Sequence, residues 1–127
     1  MTATSLPASS LVLTHLLSSR SMLLIDIRAF AAYAKSRLVG AIHICIPTVL
    51  LKRSSLSLES ISESIVSKGD QRRFAKWKDA DGIVIYDADS LRVKDSYPLA
   101  TLAAKFLEAG FEQPIYGLSG FFSYDSD

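Results

Sequence analysis

A short polar loop that follows an apolar strand is the part of this sequence best suited to chemistry. The strand is predicted at Ile83 to Tyr86, and the loop reads Asp87-Ala88-Asp89-Ser90-Leu91-Arg92. A loop at the carboxyl end of a sheet strand can direct several backbone N–H groups at one anion. The first loop residue is an aspartate, and the only cysteine, Cys45, lies in a different apolar run. The loop therefore has the form of an anion site without a thiol nucleophile.

The two aspartates of this loop permit a different interpretation. Asp87-Ala88-Asp89 after an apolar strand resembles the Asp-x-Asp motif of haloacid-dehalogenase-like phosphatases, in which the first aspartate is phosphorylated and both help to bind magnesium. That family places the motif near the start of a long domain, whereas Asp89 is followed only by residues 90–127. We therefore rank this interpretation last, and we expect neither a metal nor a cofactor.

Length and composition indicate one compact domain. The 127 residues are 49% hydrophobic, which is enough to bury about 65–70% of the unfolded surface in one core. The net charge of +1 gives no support for binding nucleic acid or a membrane through bulk electrostatics. One cysteine suits a reducing compartment, and no apolar run has the length of a transmembrane helix. We expect a soluble, monomeric domain in the cytoplasm, the nucleus or both.

Strand and helix patterns alternate along the chain, which predicts an α/β domain with a mainly parallel sheet. Small and polar residues at 1–8 predict a flexible start, and residues 125–127 a short tail. The predicted strands are Met22 to Asp26, Gly40 to Ile46, Ile83 to Tyr86 and Ile115 to Tyr116, the last followed by a turn from Gly117. The predicted helices cover 11–17, 29–35, 48–52, 58–67 and 98–109.

The segment from Asp70 to Lys78 interleaves cations with aromatic residues. One interpretation is a nucleic-acid patch in which the aromatic rings stack on bases. The other is an amphipathic helix that packs Phe74 and Trp77 inward and turns its cations to water. We favour the helix because the net charge gives no wider support for nucleic-acid binding.

Several motifs resemble those of rhodanese-like domains. Leu23 to Arg28 ends a strand in Asp-x-Arg, and Arg37 to Ile44 contains the Gly-Ala that leads into the next strand of that family. Tyr116 to Phe121 is similar to the family's closing glycine-containing segment. The resemblance covers residues 9–124 and implies a rhodanese-like fold, with a central, mainly parallel sheet and helices on both faces.

The resemblance also implies what the polar loop does. In active sulfurtransferases of this family, the residue after the strand is the cysteine that carries sulfur, and an arginine often closes the loop. This sequence has Asp87 at the cysteine position and Arg92 at the closing position. We therefore expect no catalysis from this chain, and an ion pair between Arg92 and Asp87 or Asp89.

Rhodanese-like domains without the cysteine occur as regulatory modules of phosphatases that act on MAP kinases. Ile44 to Leu58 resembles the non-catalytic region of fungal protein-tyrosine phosphatases of that pathway. Within it, Lys52-Arg53 followed by Leu56 and Leu58 is similar to a kinase docking motif, in which cations meet an acidic groove and leucines enter apolar pockets. Two alternatives stay open. Leu56 and Leu58 could belong to the core, and the domain could bind another protein, such as one of the ubiquitin pathway.

Overall fold

The computed structural model describes residues 4–6, 21–87 and 97–119, and five parallel strands form its sheet. The order of the strands across the sheet is β1-β5-β4-β2-β3. Their bounds are β1 Thr4–Leu6, β2 Met22–Asp26, β3 Ile42–His43, β4 Gly82–Asp87 and β5 Ile115–Ser119. This is the predicted α/β architecture with a parallel sheet.

The register brings the carboxyl ends of the central strands to one edge of the sheet. Asp26 at the end of β2 lies opposite both Tyr86 in β4 and His43 in β3. Asp87, the last residue of β4, lies opposite Ser119 in β5. The polar residues at the ends of these apolar strands therefore lie at the same edge of the sheet.

Apolar side chains cover both faces of the sheet, because alternate residues of a strand point to opposite sides. One face carries the larger core, which includes Leu23, Ile25, Ile83 and Ile85. The other carries a smaller cluster of Leu24, Ala41, Val84 and Tyr86. Near-continuous apolar runs such as Ile83 to Tyr86 are typical of a parallel strand buried on two sides.

Five α-helices and one short 3₁₀-helix lie between the strands of the described ranges. Their bounds are α1 Phe30–Lys35, α2 Thr48–Leu51, α3 Leu58–Glu63, α4 Lys68–Ala75, the 3₁₀-helix Trp77–Asp79 and α5 Tyr97–Glu108. Helix α1 packs Tyr33 on the smaller cluster, whereas α2 to α5 contribute buried residues to the larger core. Helices on both faces match the predicted fold. Within these ranges no helix is long and apolar enough to cross a membrane.

The predicted helix from 58 to 67 is wrong in its length. Ser64 ends α3, and a second helix begins after Ser67, whose side chain accepts a hydrogen bond from the backbone N–H of Asp70. Serine oxygens commonly cap helices in this way. Gly69 lies in the first turn of this second helix, α4.

Three strand predictions also need correction. Residues 4–6 form an edge strand beside β5 rather than part of a flexible start, because parallel pairing uses the backbone and requires no apolar pattern. Strand β3 is shorter than predicted, and β5 continues through Gly117, where a turn was expected. The predicted helix at 11–17 and the tail at 125–127 lie outside the described residues.

Candidate functional site

Asp87, which stands where active sulfurtransferases have their cysteine, lies at the carboxyl edge of the sheet. It is half-buried and is the last residue of β4, so its backbone still pairs with β5. The other predicted loop residues, Ala88, Asp89, Ser90, Leu91 and Arg92, lie outside the described residues. What the structure places is therefore the start of the loop, with a carboxylate at its first position.

A buried ion pair at the end of β2 supports the neighbouring part of this edge. The Nη2 atom of Arg28 lies 2.8 Å from Oδ2 of Asp26, and its Nε atom donates to Oδ1 of the same carboxylate at 3.1 Å. The backbone N–H of Arg28 also donates to Asp26 Oδ1, at 2.9 Å. Arg28 Nη2 donates in addition to the carbonyl oxygen of Ser36. Arg28 thus connects the segment that follows β2 to the segment that follows α1.

Tyr86 completes the buried network from the adjacent strand. Its ring lies under the Arg28 guanidinium, 5.5 Å from ring centroid to Cζ, and its hydroxyl accepts a hydrogen bond from the backbone N–H of Leu38 at 3.3 Å. Burial raises the pKa of the Tyr86 hydroxyl well above its usual value, and the nearby Asp26 carboxylate raises it further. In the described ranges no buried side-chain nitrogen or oxygen lacks a hydrogen-bond partner. The network is thus a satisfied structural support rather than a poised acid or base.

His43 packs beside the buried ion pair through one hydrogen bond and two ring contacts. Its Nε2 atom lies 2.8 Å from the carbonyl oxygen of Arg28, so this nitrogen carries the proton and donates. The imidazole stacks on Tyr33, with ring centroids 4.7 Å apart, and meets Phe30 edge-on. In the described part of the chain no group of three or more His, Cys, Asp or Glu side chains is placed to hold a metal ion.

The two cations of the predicted docking motif lie in an exposed turn after α2. Lys52 caps the end of this helix and Arg53 follows it, and both side chains are exposed. The backbone N–H of Leu56 donates to the carbonyl oxygen of Arg53 at 3.1 Å, which closes the turn. Lys105 of α5 donates to the same carbonyl oxygen at 3.0 Å. We call residues 52–56 the basic turn.

Leu58 lies in the core, as the alternative interpretation of the docking motif predicted. It is the first residue of α3, only 9% exposed, and belongs to the larger core. Ser57 caps this helix by accepting a hydrogen bond from the N–H of Ser60, and the cap fixes Leu58 with its side chain inward. Leu56 is half-buried and packs against the same core, so part of it remains accessible. The structure therefore brings Lys52, Arg53 and Leu56 together at one surface and removes Leu58 from it.

The chain is similar to one protein family and to two named proteins. The family model described as "Rhodanese-like domain" matches residues 11–124. The chain belongs to the rhodanese-like family. It is 28% identical over 95 residues to Tyrosine-protein phosphatase 3 of Saccharomyces cerevisiae, covering 72% of this chain and 10% of that protein. It is 30% identical over 63 residues to Tyrosine-protein phosphatase 1 of Schizosaccharomyces pombe, covering 50% of this chain and 12% of that protein. The chain thus spans about a tenth of the length of the curated relatives that it matches.

The rhodanese-like domain has a groove beside the basic turn that sequence reasoning did not identify. Its volume is about 360 Å³, and besides three serines it is lined by Cys45, Ile46, Pro47, Leu50, Arg53 and Leu56. We call it the Leu50 groove. The sequence carries one signal for it, because Val49-Leu50-Leu51 is a run of three apolar residues in a single helical turn, and three successive residues of a helix cannot all face one core.

Cys45 also lies on this groove, although it was expected within the strand predicted from Gly40 to Ile46. Strand β3 ends at His43, so Cys45 is in the connection to α2, where its side chain is exposed. The strand prediction is therefore wrong at this cysteine. Phe74 and Trp77, in contrast, pack inward as the amphipathic interpretation predicted, with Phe74 buried and Trp77 against the same core.

Proposed function

We propose that this chain is a non-catalytic regulatory domain of a larger protein-tyrosine phosphatase, and that it docks a MAP kinase through the basic turn. The observation that carries the proposal is the joint exposure of Lys52 and Arg53 next to the accessible part of Leu56. A compact pair of cations beside apolar surface is suited to a partner with an acidic patch bordering an apolar site.

The position of Asp87 supports the non-catalytic part of the proposal. A rhodanese-like sulfurtransferase needs a thiol at the end of this strand, and Asp87 supplies a carboxylate instead. A carboxylate at 4 Å from an anionic substrate repels it by about 1 kcal/mol in water and about 4 kcal/mol at an effective dielectric constant of 20. The residue type thus removes the nucleophile and also disfavours the substrate.

The relatives support the phosphatase part of the proposal through their names. Both are named tyrosine-protein phosphatases, and the matched region is a small part of each. A short non-catalytic module within a longer phosphatase fits this arrangement. The family assignment also favours a rhodanese-like module over the Asp-nucleophile phosphatase considered for Asp87 and Asp89, because the two classes place their nucleophile on different folds.

Retention of the chain by an immobilised MAP kinase tests the docking proposal. The wild-type chain should be retained, and the double variant Lys52→Ala/Arg53→Ala should be retained weakly while melting at nearly the same temperature, since exposed charges contribute little to stability. Lys35→Ala is the matched control, because Lys35 is an exposed cation of α1 on the other side of the sheet. Equal retention of the double variant and the control would refute docking through the basic turn. Retention by ubiquitin-pathway proteins instead would support the other scaffold role.

A further inference from the structure

The Leu50 groove combines an apolar floor with a cation at its rim. Leu50 is 37% exposed, and the backbone N–H of Arg53 donates to its carbonyl oxygen at 3.1 Å, so both residues belong to one tight turn. The volume of about 360 Å³ lies within the range of about 300–1,000 Å³ that is usual for ligand pockets. The groove is therefore large enough to receive an apolar side chain together with the backbone that carries it.

The lining of the groove carries positive charge. Among the described residues that line it, Arg53 is the only charged one, and the rest are apolar residues, the thiol of Cys45 and serine hydroxyls. A second depression, between α2 and α5, has the cations Lys52 and Lys105 but also Glu108 on its walls. The Leu50 groove thus offers apolar surface and positive charge, with no carboxylate among its described lining residues.

The burial of Leu58 leaves the docking motif without one of the two leucines that it would insert into a partner. A docking motif acts as a ligand only if its leucines can enter pockets of the partner, and Leu58 is held in the core by the capped start of α3. We propose that the roles are reversed: the domain supplies the pocket, and the partner inserts an apolar side chain flanked by carboxylates into the Leu50 groove, where a carboxylate meets Arg53. The identity of the partner rests on the proposed function, whereas the chemistry of the occupant does not.

The chain provides its own reporter for this test, because Cys45 is the only cysteine and its exposed thiol lines the groove. The probe is a short synthetic peptide with one leucine between glutamates, and the measurement is the rate at which Cys45 reacts with a disulfide reagent. An occupied groove should slow this reaction about tenfold when the peptide is present at ten times its Kd. Two control peptides carry lysines in place of the glutamates or alanine in place of the leucine, and neither should protect the thiol.

Matched variants locate the bound peptide. Leu50→Ser should abolish the protection, whereas Val49→Ser should preserve it, because Val49 is a 67% exposed neighbour that does not line the groove. Arg53→Glu removes the cation of the groove and should also abolish the protection. Its control is Lys35→Glu on the other side of the sheet, which should preserve the protection. No protection by the acidic peptide, or equal protection of Leu50→Ser and Val49→Ser, would overturn the proposal.

The same variants separate this inference from the proposed function. If the kinase retains Leu50→Ser as well as Val49→Ser, docking stands but does not use the groove, which overturns the reversed recognition for that partner. If the kinase does not retain even the wild-type chain while the acidic peptide protects Cys45, the groove stands and the kinase proposal fails.

Discussion

The guanidinium of Arg28 folds back onto the carboxylate of Asp26, with Nη2 2.8 Å from Oδ2 and both side chains buried. The pair lies at the edge of the sheet where β4 ends in Asp87. Because the same arginine also donates to the carbonyl oxygen of Ser36, it holds two connecting segments together. The Asp-x-Arg motif of the sequence therefore holds these two segments together beside the end of β4.

Removing one partner of this pair should strongly destabilise the domain. We expect Arg28→Ala to cost about 3–5 kcal/mol of unfolding free energy, because it leaves the Asp26 charge buried without its partner. The matched control is Asp70→Ala, which breaks the more exposed pair between Asp70 and Arg73 and should cost about 0–1 kcal/mol. Urea denaturation measures both, and equal losses would contradict the assignment of the buried network.

The different positions of the two leucines of the motif predict different effects on stability. Leu58→Ala should cost about 2–5 kcal/mol, since it leaves a cavity in the larger core. Leu56→Ala should cost less because Leu56 is only half-buried, and Val49→Ala should stay within about 0.5 kcal/mol. Thermal and urea unfolding of the three variants measures this order. A Leu58→Ala variant as stable as Val49→Ala would restore Leu58 as a surface anchor.

Tyr86 should make the domain sensitive to high pH. Its pKa is raised in the folded state, whereas the pKa of an unfolded tyrosine is about 10. The folded state therefore keeps the proton longer, so this contribution to stability is complete below about pH 10 and is lost as the pH rises above that value. Phenolate absorbance is titrated with pH in wild type and in Tyr86→Phe. The additional absorbance of the wild type should appear only at a pH at which the protein unfolds. A difference near pH 10 in a protein that is still folded would contradict the raised pKa.

The isolated chain should have neither thiosulfate sulfurtransferase nor phosphatase activity. Asp87 offers no sulfur nucleophile, and Asp87→Cys alone should not create activity, because the loop must also present its amides to the anion. The assays compare wild type, Asp87→Ala and Asp87→Cys with a blank. Wild-type turnover above the blank that disappears in Asp87→Ala would show that Asp87 is catalytic.

The central strands of the sheet could be predicted from the sequence because each strand has a local pattern of apolar residues. Runs such as Leu23 to Ile25 and Ile83 to Tyr86 are apolar on both faces, and polar residues follow them where the strands end. The pairing of Thr4–Leu6 with β5 was not readable, since it depends on backbone hydrogen bonds between segments far apart in sequence.

The surface was less predictable than the sheet. Leu56 and Leu58 are of the same residue type and two positions apart, and only the start of α3 at Leu58 decides which one is buried. Cys45 and Leu50 were missed for a similar reason, because β3 ends before Cys45 and leaves it exposed beside α2. Where an element begins or ends thus determines the accessible residues, and element boundaries carry the weakest sequence signal.

The most direct test of the central claim is the salt dependence of binding between the chain and a MAP kinase, measured by surface plasmon resonance. The Debye length falls from about 10 Å at 0.1 M salt to about 3 Å at 1 M, so an encounter steered by Lys52 and Arg53 should slow as salt rises. We expect a complex of about micromolar Kd, near −8 kcal/mol, whose dissociation rate changes less than its association rate. An association rate that is independent of salt, and equal in wild type and Lys52→Ala/Arg53→Ala, would contradict docking through the basic turn.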